Sequence, residues 1–191
     1  MTLTAVLLAG GESRRMGRDK ATIVFRGEPL WQRQIDLLRS LRPEKILVSV
    51  RKEPSWLPLG TELLLDDPPS RGPLSGLTKA LEQIQTTHLA ALAVDMPFMT
   101  SEQMRVLCRL ATIERGVLPM IGDRAEPLAA IYPREASSGF SAALACDDFS
   151  LQGVARNLAT ANQVQLFSIP EKDEHLYRSF NAPGDFQGAA V

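Results

Sequence analysis

The fold is decided by residues 4–20, whose sequence is TAVLLAGGESRRMGRDK. The short, mostly apolar run at 4–8 is typical of a strand buried on both faces, and Gly10 and Gly11 follow it. Glycines let backbone N–H groups approach a ligand without interference from a Cβ atom, and a run of such groups can hold an anion. Residues 10–20 contain four basic and two acidic side chains, whereas the whole chain has a net charge of −1. The stretch therefore predicts a local phosphate-binding loop after a buried strand.

Two familiar phosphate loops are excluded by spacing. A Walker A loop has four residues between its glycines and then a lysine, but five residues separate Gly11 from Gly17 here, and Arg18 follows. The glycine pattern of a Rossmann dinucleotide site is also absent from the sequence. A cation about 4 Å from a phosphate charge gains roughly 4 kcal/mol at an effective dielectric near 20, which favours a phosphate ligand. The alternative is an ordinary solvated turn with scattered charges.

Composition sets limits on the rest of the chain. The 191 residues are 45% hydrophobic, which allows a substantial core and predicts one domain over residues 1–191. With 21 basic and 22 acidic residues, the overall charge indicates neither nucleic acid nor a membrane as a partner. Cys108 and Cys146 match no metal or redox spacing, and only two histidines are present. These counts argue against a histidine-rich metal site.

No stretch indicates export or membrane insertion. The apolar start has no basic region before it and meets charge at once, unlike a signal peptide. The apolar run at residues 89–99 is too short to cross a bilayer and contains Asp95. We therefore expect a cytoplasmic protein.

Strands and helices are expected to alternate in the first part of the chain. Apolar runs predict strands at residues 4–8, 45–50, 62–65 and 88–94. Helical spacing predicts one helix beginning near Pro29, a second carrying Leu74 and Leu81, and a third with a capping box at Thr100 and Gln103. This alternation predicts an α/β fold of three layers, with a mostly parallel sheet and helices on both faces.

The pattern is less regular after residue 115. Extended segments around Gly122 and Asp123 predict a small β-hairpin extension. Helices are expected near residues 135–145 and 151–161, a strand at 164–169 and a short last helix beginning at Pro183. On a parallel sheet, ligands bind beyond the carboxyl ends of the strands, so the loops after the first four strands are expected to meet at one crevice.

Carboxylates in these loops are candidate ligands. Asp95 follows a buried strand, where an ionised carboxylate needs compensation, and Mg²⁺ commonly uses one or two carboxylates together with substrate phosphates. The alternative for Asp95 is a turn cap with Pro97. Asp66 and Asp67 precede two prolines, and turn formation is the alternative for both. Gly72 and Gly76 lie at the start of a helix, where N–H groups attract an anion.

Together these motifs resemble the molybdenum cofactor guanylyltransferases, within the wider nucleotidyltransferase fold. The resemblance extends over nearly the whole chain. It is carried by LAGG at 8–11, RMG at 15–17, DK at 19–20, G-x-P-L at 27–30, DD at 66–67, G-P-L-x-G at 72–76, D-x-P at 95–97 and N-x-P at 181–183.

The resemblance implies roles for individual residues. Arg15 and Lys20 would contact phosphates, and Asp95 would ligate Mg²⁺ and nucleotide. Asp67 would lie near the guanosine, or Asp66 if the register is shifted by one residue. The other residues implied to bind the nucleotide or the pterin are Leu8, Ala9, Gly10, Gly11, Ser49, Gly72 and Asn181.

Two positions depart from the family pattern. Ser49 stands where the family often has Asn, so a hydrogen bond to the nucleotide is expected to be weaker or lost. Ser179 replaces the first of two asparagines in the segment associated with the pterin, and Asn181 keeps the second. A helix N-cap is the alternative reading of Asn181.

The resemblance implies transfer of GMP from MgGTP to the terminal phosphate of molybdopterin or its molybdenum form, with release of pyrophosphate. It also implies contact with other proteins of molybdenum cofactor biosynthesis or delivery. Two alternatives stay open: a nucleotidyltransferase that uses CTP or a sugar phosphate, and a non-catalytic nucleotide-binding module. Gly10 argues for guanine, because cytidylyl relatives acting on the same pterin typically have alanine there.

Overall fold

The sheet is built around β1 (Leu3–Leu8), in which every residue is buried. The computed structural model describes residues 1–10, 19–67, 69–146 and 149–180. Alternate β1 side chains enter two separate cores: Leu7 packs in one, and Val6 and Leu8 pack in the other. Because successive strand residues point to opposite faces, a strand that is buried at every position requires cover on both sides.

Besides β1, the strands of the main sheet are β4 (Lys45–Val50), β5 (Glu62–Leu65), β6 (His88–Ala93), β7 (Gly116–Ile121), β8 (Arg124–Ala125), β9 (Ala129–Pro133) and β10 (Val164–Ser168). Their order is β10-β7-β9-β6-β1-β4-β5, and β8 pairs with β7. β1 is parallel to β4 and β6, β5 is parallel to β4, and β10 is parallel to β7. β9 is antiparallel to both β6 and β7. A separate two-stranded hairpin joins β2 (Val24–Phe25) and β3 (Glu28–Pro29).

Helices cover both faces of this sheet, as the three-layer prediction requires. They are α1 (Leu30–Ser40), α2 (Pro73–Gln83), α3 (Ser101–Leu110), α4 (Ser137–Ala145) and α5 (Leu151–Thr160). Helices α1 and α3 contribute to one core, and α2, α4 and α5 contribute to the other. Short 3₁₀ segments span Lys20–Thr22, Arg134–Ala136 and Glu171–Tyr177. The last of these was not predicted, and the helix expected at Pro183 lies outside the described residues.

The predicted hairpin is present, but its first strand is an internal strand of the main sheet and not part of a separate extension. β7 and β8 pair across Gly122, with Ile121 opposite Arg124, while β7 itself lies inside the main sheet. A Cβ atom at Gly116 would lie 2.0 Å from the carbonyl oxygen of Ile131, so glycine lets β7 approach β9. That close approach explains how the segment joins the sheet. The prediction of one domain over residues 1–191 stays a prediction.

The strand order reverses at β1, and this reversal positions the candidate site. The chain builds outward from β1 to β4 and β5, and then returns to place β6 on the other side of β1. In open α/β sheets the ligand crevice lies outside the carboxyl ends of the strands at such a switch point. Within the described residues we find no helix capable of spanning a bilayer.

Candidate active site

A cleft lies at the switch point, beyond the carboxyl ends of β1, β4, β5 and β6. It is lined by Leu8, Ala9, Gly10, Lys20, Ser49, Asp66, Gly72, Pro73, Ala93, Val94, Asp95 and Leu128. The loops after β1, β5 and β6 contribute to one cavity as predicted, whereas β4 contributes Ser49 from the strand itself and not from the loop that follows it. Leu128, just before β9, was missed, because nothing in the sequence showed that β9 would lie beside β6.

The floor of the cleft is held by backbone hydrogen bonds between neighbouring strands. The Ala9 N–H donates to the Ser49 carbonyl at 2.8 Å, and the Val94 N–H donates to the Leu8 carbonyl at 3.0 Å. A Cβ atom built on Gly10 would lie 3.4 Å from Asp66 Oδ2, in ordinary contact. Glycine at this position therefore keeps the space beside Asp66 open. Gly11 and Arg15 lie outside the described residues.

Lys20 and Asp95 form an ion pair across the cleft. Lys20 Nζ lies 2.9 Å from Asp95 Oδ2, and the two side chains are only 17% and 20% exposed. The ammonium also donates to the carbonyl of Phe180 at 2.8 Å. A positive charge thus lies beside Asp95 and compensates its partial burial.

Asp19 explains how the chain delivers Lys20 to this place. Its side chain caps the 3₁₀ turn Lys20–Thr22 by accepting from the Ala21 N–H at 2.9 Å. The indole of Trp56 donates to the other carboxylate oxygen of Asp19 at 2.8 Å. Trp56 is stacked on Trp31 with the ring centroids 5.7 Å apart. The loop after β4 therefore fixes the start of the turn that carries Lys20.

The two adjacent carboxylates after β5 have different surroundings. Asp66 is buried and accepts from Ser49 Oγ at 3.2 Å and from Ser70 Oγ at 2.9 Å. The side chain of Asp67 is 83% exposed and pairs with Lys79 at 2.8 Å. The structure thus brings Asp66 into the cleft lining and leaves Asp67 outside it, the reverse of the order that the resemblance implied. Ser49 orients Asp66 in this structure.

The glycines of the G-P-L-x-G motif meet two separate steric requirements. Gly72 precedes α2 with φ of 65° and ψ of −142°, a conformation that is essentially restricted to glycine. A Cβ atom on Gly76 would lie 2.3 Å from Ser49 Oγ, so only glycine lets the first turn of α2 press against β4. The N-terminus of α2 is thereby held beside the cleft, where its N–H groups favour an anion.

The residues of the cleft fit a magnesium ion that is bound by one carboxylate and by phosphate oxygens of a substrate. Within residues 1–10, 19–67, 69–146 and 149–180, no group of three or more His, Cys, Asp or Glu could hold a metal by itself. Mg²⁺ does not require such a cage, because it uses one or two carboxylates together with substrate phosphates. Asp95 would supply one hard oxygen ligand, and the Lys20 ammonium beside it shows that its surroundings accommodate a positive charge.

Phe180 joins the C-terminal part of the chain to this site. Its N–H donates to the Asp95 carbonyl at 2.8 Å, while its own carbonyl accepts from Lys20. Its ring packs edge-to-face on Phe25 and Phe98, with centroids 5.5 and 5.6 Å away. The neighbouring N-x-P motif at 181–183 predicted a role for Asn181 and gave no signal for Phe180. Asn181 lies outside the described residues.

Comparison with known proteins places this geometry in a family. A family model described as the MobA-like NTP transferase domain matches residues 5–164. The chain belongs to this family. The family confirms the predicted nucleotidyltransferase class and the resemblance on which it was based.

Two curated relatives of the MobA-like family match nearly the full length of the chain. A protein of Opitutus terrae named probable molybdenum cofactor guanylyltransferase is 34% identical over 186 residues, which cover 96% of this chain and 92% of the relative. A protein of Flavobacterium johnsoniae with the same name is 25% identical over 184 residues, covering 95% of this chain and 93% of the relative.

Solved structures confirm the fold. Molybdopterin-guanine dinucleotide biosynthesis protein A from Archaeoglobus fulgidus aligns with a TM-score of 0.70 at 24% identity, covering 98% of this chain and 96% of that one. A 2-C-methyl-D-erythritol 4-phosphate cytidylyltransferase from Thermus thermophilus aligns with a TM-score of 0.72 at 15% identity, covering 99% and 97%. The same architecture therefore occurs in proteins named for guanylyl and for cytidylyl transfer, so base selection must depend on the site.

Proposed function

We propose that the chain transfers GMP from GTP, bound with Mg²⁺, to the terminal phosphate of molybdopterin or its molybdenum form. The products are molybdopterin guanine dinucleotide and pyrophosphate. The observation that carries the proposal is the convergence of Lys20, Asp66 and Asp95 on one cleft at the switch point of the sheet. The names of the full-length relatives support the choice of base and acceptor.

The chemistry requires little proton transfer. An oxygen of the acceptor phosphate forms a bond to the α-phosphorus of GTP, and the bond from that phosphorus to the bridging oxygen of the β-phosphate breaks. The acceptor already carries negative charge at neutral pH, so a strong general base is not needed. Catalysis then consists of positioning and of neutralising charge on the phosphates.

Lys20 and Asp95 divide this work. Asp95 would hold the Mg²⁺, which supplies positive charge at the α-phosphate. Lys20 exchanges the Asp95 carboxylate for the phosphates and stabilises the negative charge on the departing pyrophosphate. A partly buried ammonium that already has an anionic partner 2.9 Å away makes this exchange with little change in solvation. Arg15 retains its predicted role along the triphosphate.

Asp66 is proposed to select guanine, in place of Asp67. The Watson–Crick edge of guanine presents two adjacent donors, N1–H and the 2-amino group, which match the two oxygens of a carboxylate. Ser49 and Ser70 each occupy one lone pair of Asp66, and each oxygen keeps another. Gly10 leaves the adjoining space free of a side chain. A cytoplasmic location and contacts with proteins of molybdenum cofactor assembly belong to the same proposal.

The experiment is incubation of the protein with each nucleoside triphosphate, Mg²⁺ and molybdopterin, followed by mass detection of the dinucleotide. We expect the GMP adduct and pyrophosphate only in the incubation that contains GTP as the nucleotide. Product from CTP would transfer the assignment to the cytidylyl class. Binding of GTP without release of pyrophosphate in the presence of the acceptor would indicate a non-catalytic module.

A further inference from the structure

The turn that follows β6 is held by three donors from other parts of the chain. Consecutive carbonyl oxygens of this turn accept as follows: Asp95 from the Phe180 N–H at 2.8 Å, Met96 from Gln34 Nε2 at 2.6 Å, and Pro97 from Arg33 Nε at 2.8 Å. Such consecutive support fixes the peptide planes on both sides of Met96. The backbone that carries the Asp95 carboxylate therefore has little rotational freedom.

Gln34 is the unusual member of this set. It lies on α1 with no exposed surface, and its Oε1 has no hydrogen-bond partner among the residues that the structure describes. A buried acceptor without a partner is unfavourable, whereas methionine has nearly the same length and brings no such atom. Packing alone would thus favour an apolar side chain here. What glutamine adds is a second donor to the Met96 carbonyl, which also accepts from the Met99 N–H within the turn at 3.1 Å, and the Gln34 bond at 2.6 Å is the one that joins the turn to α1.

We infer that Gln34 is a positioning residue for Asp95, acting through the Met96 carbonyl to hold the carboxylate where it binds a divalent cation together with substrate phosphates. This inference rests on the proposed function. A metal with strict octahedral geometry binds less tightly when a ligating carboxylate shifts by a few tenths of an ångström. Loss of the Gln34 hydrogen bond therefore weakens binding of the cation, although Gln34 does not touch it. Residues that orient metal ligands typically change metal affinity by about 10- to 100-fold when replaced.

The test is the Gln34→Met variant, with Mn²⁺ as the metal probe. Free Mn²⁺ is measured by electron paramagnetic resonance in the presence of GTP and without acceptor. We expect GTP-dependent Mn²⁺ binding to weaken about 10- to 100-fold. In the full reaction, kcat is expected to fall while the KM for the pterin acceptor is unchanged. The thermal midpoint should stay within about 5 °C of the wild type, because the unpartnered acceptor is removed along with the hydrogen bond.

The Thr86→Val variant is the matched control. Thr86 is also buried and donates one side-chain hydrogen bond to a backbone carbonyl, that of His88, but it lies before the amino end of β6. It should leave Mn²⁺ binding unchanged. If Gln34→Met does not fold, the nearly isosteric Gln34→Glu replaces it, since a glutamic acid can donate to Met96 only when protonated. Mn²⁺ binding by that variant should weaken as the pH rises, relative to the wild type.

Wild-type Mn²⁺ binding in Gln34→Met would overturn the inference, as would equal weakening in Thr86→Val. Failure of the proposed function gives a different result. If the acceptor assignment is wrong, the wild type makes no dinucleotide, yet GTP-dependent Mn²⁺ binding still tests Gln34. If the wild type binds no Mn²⁺ with GTP, the assignment of Asp95 as metal ligand fails, and the inference fails with it.

Discussion

The two ends of β6 differ in the surroundings that they give to an ionisable side chain. At the amino end, His88 is fully buried, and its neighbour Thr86 hydrogen-bonds the hydroxyl of Thr4 at 2.9 Å. Beyond the carboxyl end, Asp95 pairs with the ammonium of Lys20 at 2.9 Å. The buried Nε2 of His88 has no hydrogen-bond partner among the described residues, whereas Asp95 has beside it a cation that, in the proposed function, gives way to the nucleotide phosphates. We therefore expect substitutions at the amino end of β6 to change mainly stability and those at its carboxyl end to change mainly activity.

Replacing the carboxylate at the functional end should have the largest effect. Asp95→Asn removes the proposed metal ligand and the anionic partner of Lys20, and leaves the side-chain volume almost unchanged. We expect kcat/KM for pyrophosphate release from GTP and molybdopterin to fall by about 10³-fold. The control is Glu102→Gln, which neutralises an exposed carboxylate paired with Arg109 on α3, away from the cleft. Activity of Asp95→Asn within about ten-fold of the wild type would contradict the metal role.

The adjacent carboxylates Asp66 and Asp67 offer a sharper internal comparison. Asp66→Asn should raise the KM for GTP by about 100-fold, because an amide presents a donor to the donor edge of guanine. Asp67→Asn should change it by less than about two-fold, since that side chain is exposed and its pair with Lys79 is screened by solvent. Steady-state kinetics with GTP as the varied substrate measures both. The reverse ranking would restore Asp67, the residue that the resemblance implied.

Much of the sheet could be predicted because it depends on local pattern. Continuous apolar runs gave β4 and β5 at their observed bounds, and the spacing of leucines gave α2. The antiparallel placement of β9 could not be predicted, because it depends on pairing between distant segments and on the close approach at Gly116. Strand pairing of this kind leaves no periodic signal in one sequence.

The candidate site shows the same division between local and distant information. Lys20 and Asp95 stood out because charges follow a glycine loop and a buried strand. The capping box at Thr100 was correct for the Thr100 side chain, which accepts from the Gln103 N–H at 3.2 Å. The Gln103 amide instead donates to the hydroxyl of Tyr177 at 2.9 Å. Gln34 and Phe180 were missed because their partners lie more than 60 residues away in sequence.

A substitution at Gly76 tests how strictly the cleft depends on packing of α2. In Gly76→Ala the new methyl group overlaps Ser49 Oγ, which must move away from Asp66 or push the helix outward. We expect a loss of about 2 kcal/mol in the free energy of unfolding, measured by urea denaturation. Gly122→Ala is a useful comparison: a Cβ atom there meets nothing within 4 Å, and only its φ of 55° opposes the change. A smaller loss at Gly76 than at Gly122 would contradict the close-packing argument.

The amino end of β6 is tested by acidification, with the smallest expected effect. Burial lowers the pKa of His88 from 6.5, although the backbone of Arg115 and Thr112 and the charge of Glu135 act in the opposite direction. The folded protein therefore keeps this imidazole neutral at pH values where the unfolded chain binds a proton. The free energy of unfolding should fall as the pH drops below 6.5, by at most about 1.4 kcal/mol per pH unit. Above about pH 7.5 His88 should contribute almost no slope, because the imidazole is then neutral in both states.

The second histidine supplies the matched control for this pH dependence. His175 is exposed, and the chain has two histidines in all. Urea denaturation between pH 5 and 7 should show a smaller slope for His88→Gln than for the wild type, and an unchanged slope for His175→Gln. Most carboxylates contribute below about pH 5, and Glu126, whose pKa is raised by burial, contributes alike to the wild type and to both variants, so the difference between the slopes isolates the imidazole. If His88→Gln kept the full slope, the amino end of β6 would not be the closed, neutral counterpart of the Asp95 end, and the separation of stability from function along this strand would have to be abandoned.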